Sequence, residues 1–200
     1  MSTDHIRGRR RFLIVGSAVV AGLTLGRRDI GAAQPLPLTP ECKDGDEPTP
    51  RQTEGPFFKP SSPGRSNLVE PGMAGRPLDV SGFVLDRNCK PMARALIDVW
   101  QADANGEYDN RSFRLRGHVF TDADGRYRIR TVRPAAYSGR TAHIHVKAQP
   151  PGGKILTTQL YFPDEPGNRR DGLFRRELLV QLAQAGEGLT ARFDFVLDKR

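Results

Sequence analysis

Two histidines separated by a single residue, His143 and His145, are the feature of this sequence best suited to metal chemistry. They lie in an alternating stretch, residues 142–148, that predicts a β-strand. On a strand, residues i and i+2 point to the same face, about 6–7 Å apart. Two imidazoles on one face can begin a metal site. The pair alone is a weak signal, because an exposed strand can acquire it by chance.

The surrounding residues offer tyrosines rather than carboxylates as further ligands. Residues 146–149 hold no acidic side chain and no histidine follows, which argues against the iron(II) site of a cupin-type or extradiol oxygenase. Tyr108 lies in a glycine-bearing loop, and Tyr137 lies in a proline-rich loop six residues before His143. A phenolate is a hard anionic donor, and tyrosine binds the haem iron of catalase. Two histidines and two tyrosines therefore favour iron(III) over zinc or copper.

Short alternating segments must position these side chains, and they predict an all-β fold. We expect a β-sandwich of about seven to eight mostly antiparallel strands with long loops. An Asp-Gly turn at residues 122–125 predicts a hairpin between its flanking strands. Residues 175–184 suit either a helix or a strand that pairs with the last one. The predicted strands are residues 78–85, 95–101, 118–121, 126–130, 142–148, 157–162 and 189–197.

Length and composition indicate one globular domain rather than a helical bundle. The chain has 200 residues, is 37% hydrophobic and contains 21 Gly and 16 Pro, which suits a turn-rich protein. We expect three parts: an export signal at residues 1–33, an extended lead-in at residues 34–76, and the sandwich at residues 77–200. An exported protein meets an oxidising compartment, so Cys42 and Cys89 are expected to form a disulfide.

The amino terminus resembles a twin-arginine export signal. Residues 9–13, Arg-Arg-Arg-Phe-Leu, precede a diluted apolar run at residues 14–25, which is too short to span a bilayer comfortably. We therefore expect cleavage, no stable membrane span afterwards, and a periplasmic or extracellular protein. Residues 1–33 carry six arginines and two aspartates, so they account for half of the formal net charge of +8. The remaining basic residues are scattered, which argues against nucleic-acid binding.

Six motifs, in order along the chain, resemble the intradiol ring-cleavage dioxygenases, the family of the catechol and protocatechuate enzymes. The resemblance spans about residues 50–197. Its first motif is Thr-Glu-Gly-Pro-Phe-Phe at residues 53–58, and its fifth is Arg-Thr-Ala-His-Ile-His at residues 140–145. The others are residues 98–108, 121–127, 134–137 and 158–162.

This resemblance implies a function and a set of site residues. Tyr108, Tyr137, His143 and His145 would hold a non-haem iron(III). Arg140 and Gln159 match the family's arginine and glutamine beside the ligands, and they are expected to be catalytic together with Tyr137, the tyrosinate that substrate displaces. The implied reaction cleaves a catechol-type ring between its two hydroxylated carbons with O2 and gives a cis,cis-muconate-type diacid.

Two departures from the family indicate a compact, exported branch. The loop between Tyr137 and Arg140 is only Ser138-Gly139, and the helical dimerisation segment of the catechol branch has no counterpart. A homo-oligomer remains compatible with the sequence. The alternative function is a non-enzymatic binding module, because residues 80–86 and 121–130 resemble prealbumin-like and carboxypeptidase-regulatory sandwiches. Such a module has no need of the two tyrosines and two histidines together.

Other prominent side chains have structural interpretations. We expect His118 to be structural and Trp100 to belong to the core. Tyr127 and Tyr161 are expected to pack on sandwich strands. Glu54 is expected to fix the backbone of the lead-in.

Overall fold

The computed structural model describes residue 42 and residues 47–198. The predicted export signal lies outside these residues, and so does most of the lead-in before residue 47. Within the described part of the chain, no helix is long and apolar enough to cross a membrane.

Nine strands form two sheets in the described residues. One sheet has the order β4-β1-β8-β7, with β9 also paired to β1, and the other has the order β3-β2-β5-β6. Five of the seven strand pairs are antiparallel. The all-β sandwich is therefore confirmed, with nine strands. They are β1 (Pro77–Asp86), β2 (Leu96–Gln101), β3 (Arg116–Phe120), β4 (Arg126–Val132), β5 (His143–Gln149), β6 (Leu156–Tyr161), β7 (Gln181–Ala185), β8 (Gly188–Arg192) and β9 (Phe195–Leu197), with 3-10 helices Pro166–Arg169 and Arg176–Leu178 between β6 and β7.

Alternation along the strands separates an apolar inner face from a polar outer face. Ile144 and Val146 of β5 are buried against Val80 and Ile129 of the other sheet. The void left between these side chains measures about 10 Å³, so the core is closely packed. His143 and His145 alternate with these core residues. They consequently lie on the outer face of the four-stranded sheet.

The Asp-Gly turn forms, but it does not close a hairpin. The Asp122 carboxylate accepts the backbone N–H of Asp124 and of Arg126, as the turn chemistry predicts. However, β3 pairs with β2 and β4 pairs with β1, so the chain changes sheets here. The predicted hairpin was wrong because turn residues govern only a local reversal. In its pairing with β1, β4 buries Tyr127 and Ile129 between the sheets.

The carboxyl-terminal segment forms strands, with one interruption. Residues 175–184 contain a 3-10 turn followed by β7, and β7 pairs antiparallel with β8, as the strand alternative predicted. The single strand expected at residues 189–197 is divided into β8 and β9. Between them the Asp194 carboxylate accepts the Phe83 N–H at 2.8 Å in place of a backbone carbonyl, which interrupts the ladder.

The lead-in is bound to both sheets. Cys42 and Cys89 form the expected disulfide, which ties the lead-in to the turn after β1. Thr49 exchanges hydrogen bonds with Val196 of β9. Gln52 then donates its N–H to Thr157 of β6 at 2.8 Å. This path brings residues 53–58 to the outer face of the four-stranded sheet, beside His145.

Candidate metal centre

One cross-strand row on the outer face of the four-stranded sheet carries much of the site. Trp100 of β2 lies opposite Arg116 of β3 on one side and His145 of β5 on the other, and His145 lies opposite Gln159 of β6. All four side chains are nearly inaccessible to solvent. Directly opposite residues on one face have Cβ atoms about 4.5–5.5 Å apart, so the row is continuous.

The two histidines present their Nε2 atoms to one point. These nitrogens lie 3.1 Å apart. The His143 Nδ1–H donates to the Thr141 carbonyl at 2.7 Å, and this leaves the lone pair on Nε2. Burial lowers the pKa of His143 to about 4. Burial, and then the charges of His143 and Arg140, lower the pKa of His145 well below its usual value. Both rings are therefore neutral near pH 7, which is the metal-binding form.

The two tyrosines lie against this pair. The Tyr108 ring is 5.2 Å from that of Tyr137 and 6.3 Å from that of His145, and Tyr137 is 5.6 Å from His143, measured between ring centroids. The Tyr108 hydroxyl is buried and has no partner of acceptable hydrogen-bond geometry in the described part of the protein. Burial, and then the neighbouring Tyr137, raise the pKa of this phenol. The four residues selected from sequence thus converge.

The converging donors fit a hard trivalent cation. Nitrogens that share one ion at about 2.1 Å and a right angle lie about 3 Å apart, close to the observed separation of the histidine Nε2 atoms. A buried hydroxyl without a partner is costly, and coordination as a phenolate would satisfy it. Two phenolates would also neutralise two of the three positive charges of such a cation. The described residues contain no cluster of three or more His, Cys, Asp or Glu. The two phenols are therefore needed to complete the candidate ligand set beside the two histidines.

A tight turn places Tyr137 and Arg140 side by side. The Arg140 N–H donates to the Tyr137 carbonyl at 2.7 Å, and the reverse bond measures 3.2 Å. Ser138 and Gly139 have φ angles of 43° and 76°. Positive φ at both central residues is the signature of a type I′ turn. The unusually short loop noted in the sequence is therefore a rigid link between a proposed ligand and a proposed catalytic residue.

Arg140 and Gln159 contact each other next to the histidines. Arg140 Nη2 donates to Gln159 Oε1 at 2.6 Å, and Gln159 Nε2 donates to the Thr53 carbonyl at 3.0 Å. The Tyr161 hydroxyl lies 2.8 Å from the same Gln159 oxygen. The Arg140 Nε–H donates to Asp171 at 2.8 Å. Burial opposes the charge of Arg140, but Asp171 raises its pKa, so Arg140 is a fixed cation.

Aromatic packing holds the candidate ligands in place. Trp100 stacks on His145 with centroids 4.8 Å apart and planes 7° apart, and Phe57 stacks on Tyr108 at 4.3 Å. Trp100 is buried as expected, but it packs outside the inter-sheet core. Gly55 crosses the His145 ring with φ +71°, and a Cβ there would lie 3.3 Å from His145 Cε1. Both facts favour glycine at this position.

A cleft of about 430 Å³ opens beside Tyr137 and Arg140. It is lined by residues 136–141 together with Glu165, Pro166, Gly167 and Arg170. Its volume falls within the range of about 300–1,000 Å³ that is typical of ligand pockets. A larger groove of about 760 Å³ adjoins it at residues 163–179, but it contains none of the predicted site residues.

Several side chains lie away from the ligands or act differently than expected. His118 contacts the Ser62 hydroxyl at 3.1 Å and takes no part in the site, as predicted. Tyr127 donates to the Phe193 carbonyl within the core. Glu54 forms an ion pair with Lys147, which anchors the lead-in. Tyr161, in contrast, reaches Gln159, and Asp171 reaches Arg140. Sequence reasoning missed these two roles. The strand period could have paired Tyr161 with Gln159, two residues earlier on β6, whereas no local pattern links Asp171 to Arg140, 31 residues away.

The comparisons with known proteins agree with this geometry. The family model described as Dioxygenase matches residues 53–199. The chain is 35% identical to catechol 1,2-dioxygenase 2 of Acinetobacter lwoffii, over 63% of this chain and 56% of that protein. It is 34% identical to the protocatechuate 3,4-dioxygenase beta chain of Burkholderia cepacia, over 63% of this chain and 66% of that protein. The chain thus spans less than two thirds of these relatives.

Solved structures agree with this relationship. The dioxygenase domain of a dioxygenase carbohydrate-binding protein fusion from the cellulolytic bacterium Streptomyces sp. SirexAA-E is 56% identical, with a TM-score of 0.75, over 76% of this chain and 99% of that chain. The 3-chlorocatechol 1,2-dioxygenase of Rhodococcus opacus 1CP is 31% identical, with a TM-score of 0.70, over 76% and 74%.

Proposed function

Given that this chain belongs to the intradiol ring-cleavage dioxygenases, we propose that it is an iron(III) enzyme acting on a catechol-type substrate. With O2, it would cleave the ring between the two hydroxylated carbons and yield a cis,cis-muconate-type diacid. The observation that carries this proposal is the convergence of Tyr108, Tyr137, His143 and His145 beside a fixed arginine. A non-enzymatic sandwich would not need to bring these groups together.

The four ligands differ in what they contribute. His143 and His145 would hold iron as neutral imidazoles, and Trp100 stacks on the His145 ring. Tyr108 is half-buried, stacks on Phe57 and has a buried hydroxyl, whereas Tyr137 lines the cleft. When bound, iron(III) would supply Lewis acidity, drawing electron density from a chelated catechol so that a ring carbon becomes reactive towards O2. Because Tyr137 lines the cleft, it would be the phenolate best placed to take a proton from the substrate hydroxyl.

Arg140 and Gln159 act on the substrate rather than on the ligands. Arg140 lines the cleft, and its guanidinium is held at Nε and at Nη2. A preorganised cation stabilises negative charge as it develops on the ring, at no reorganisation cost. Gln159 does not line the cleft, but the Thr53 carbonyl and Tyr161 fix it opposite His145, so its remaining Nε2–H would donate to a catechol bound there.

Purified, iron-loaded protein tests this proposal. We expect a red-brown colour from tyrosinate-to-iron(III) charge transfer. Oxygen uptake should follow addition of catechol, protocatechuate or hydroxyquinol, and with ¹⁸O2 both labelled atoms should appear in a muconate-type product. The matched His145→Ala protein should be colourless and inactive. A colourless wild-type protein that binds zinc, or a product cleaved outside the two hydroxylated carbons, would contradict the proposal.

We also propose export through the twin-arginine route, which the motif at residues 9–13 supports. Replacing Arg9 and Arg10 with lysine should retain the protein, uncleaved, inside the cell. Amino-terminal sequencing of the exported protein would locate the cleavage site. Unchanged export of the double variant would exclude this route.

A further inference from the structure

Asp171 is a buried carboxylate directly behind Arg140. Only 1% of its side chain is exposed. One oxygen, Oδ2, accepts the Arg140 Nε–H at 2.8 Å and the Thr141 backbone N–H at 3.0 Å. The other, Oδ1, accepts the Leu173 N–H at 2.9 Å. Asp171 is thus fixed by two backbone donors and has one charged partner, Arg140.

These contacts fix the guanidinium of Arg140 from two directions. Asp171 holds Nε, and Gln159 Oε1 holds Nη2 at 2.6 Å. A free arginine side chain samples many rotamers. Here most of that freedom is removed before substrate arrives, because the aspartate is itself immobile. Arg140 also lines the cleft beside Tyr137.

We propose that Asp171 is a positioning residue whose effect on turnover runs through Arg140. It aims the guanidinium at the substrate cleft and does not itself contact substrate. This inference rests on the proposed function, since it assigns Asp171 a part in the same reaction. The alternative is that Asp171 only caps the loop at residues 171–173, in which case its loss would lower stability and leave turnover per iron unchanged.

A double-mutant cycle separates these two roles. It compares wild type, Asp171→Asn, Arg140→Ala and the double variant by kcat per iron and by KM, with iron content and colour measured on each. Asp171→Asn should keep iron and colour, and should lose about tenfold to a hundredfold in kcat, because a displaced catalytic group is costly. In the Arg140→Ala background, the same change should cause no further loss. The proposal would be overturned if the loss of kcat in the double variant equals the product of the two single losses. It would also be overturned by an unchanged kcat in Asp171→Asn.

A matched control distinguishes positioning from general loop stability. Asp86 is also buried, and its carboxylate accepts the backbone N–H of Asn88 and of Lys90 in a turn on the other sheet. Asp86→Asn should lower the urea midpoint and leave kcat per iron unchanged. If Asp86→Asn lowers kcat as much as Asp171→Asn does, the loss reflects stability and the proposal fails.

A readout that does not need activity keeps the proposed function and this inference apart. In iron-free protein, the urea midpoints of the same four variants should be coupled, with the double variant shifted by less than the sum of the single shifts. Additive shifts would overturn the Asp171–Arg140 interaction, whatever the activity. A wild-type protein that converts none of the catechols would instead refute the proposed function, even if the midpoints are coupled.

Discussion

Replacing Arg140 with alanine should separate metal binding from turnover. The Arg140 side chain makes no hydrogen bond to any of the four candidate ligands, so iron and the red-brown colour should be retained. Gln159 should also stay in place, because Tyr161 and the Thr53 carbonyl still hold its amide at 2.8 and 3.0 Å. The change therefore removes one cation from the cleft wall and little else.

The size of the effect follows from that arrangement. Loss of one preorganised charge-stabilising group costs about 100- to 1000-fold in kcat, or about 2.7–4 kcal/mol in the barrier. Breaking a buried ion pair typically lowers the free energy of unfolding by about 3–5 kcal/mol, and we expect a smaller decrease here. Because Asp171 keeps its hydrogen bonds from Thr141 and Leu173, the free energy of unfolding should decrease by about 1–3 kcal/mol.

Three variants test this reasoning. For each we would measure iron content, the visible spectrum, kcat per iron and urea unfolding. Arg133→Ala is the control, because Arg133 is similarly buried and pairs with Asp164 and Glu165 at 2.7 Å but lies outside the cleft lining. It should keep turnover per iron. His145→Ala should lose iron. Near-normal turnover per iron in Arg140→Ala would remove Arg140 from the mechanism.

Three further predictions concern stability. Trp100→Ala should lower the free energy of unfolding by about 3–5 kcal/mol and reduce iron content, because Trp100 packs on His145; urea unfolding and metal analysis check this. Breaking the Cys42–Cys89 disulfide, whose sequence separation is 47, should cost about 4 kcal/mol, measured with and without reductant. Burial opposes ionisation of Asp171, but hydrogen bonds from Arg140, Leu173 and Thr141 lower its pKa. Its stabilisation should therefore be complete above about pH 4 and be lost as pH falls through the lowered folded value, whereas Asp171→Asn should lack this acid-dependent loss.

The sequence alone was sufficient to select the four candidate ligands that converge in the fold, and to predict that His143 and His145 share a strand. His143 and His145 share a strand face because the period of a β-strand is two, and this rule needs no knowledge of the fold. Most strands were found with small errors at their ends, because burial between two sheets imposes alternation on each segment separately, but the last predicted strand is divided into β8 and β9. The phenol-rich donor set was also readable, since ligand chemistry depends on residue type.

Only the tertiary structure decided how distant segments meet. The sequence did not reveal that β3 and β4 join different sheets, or that residues 53–58 cover the outer face beside His145. Nor did it reveal that Asp171 holds Arg140 from 31 residues away. A local pattern reports which face of an element is buried, but not what buries it. Partners are selected by packing and hydrogen bonding across the whole chain, where many pairings satisfy the same local pattern and only the folded core distinguishes them.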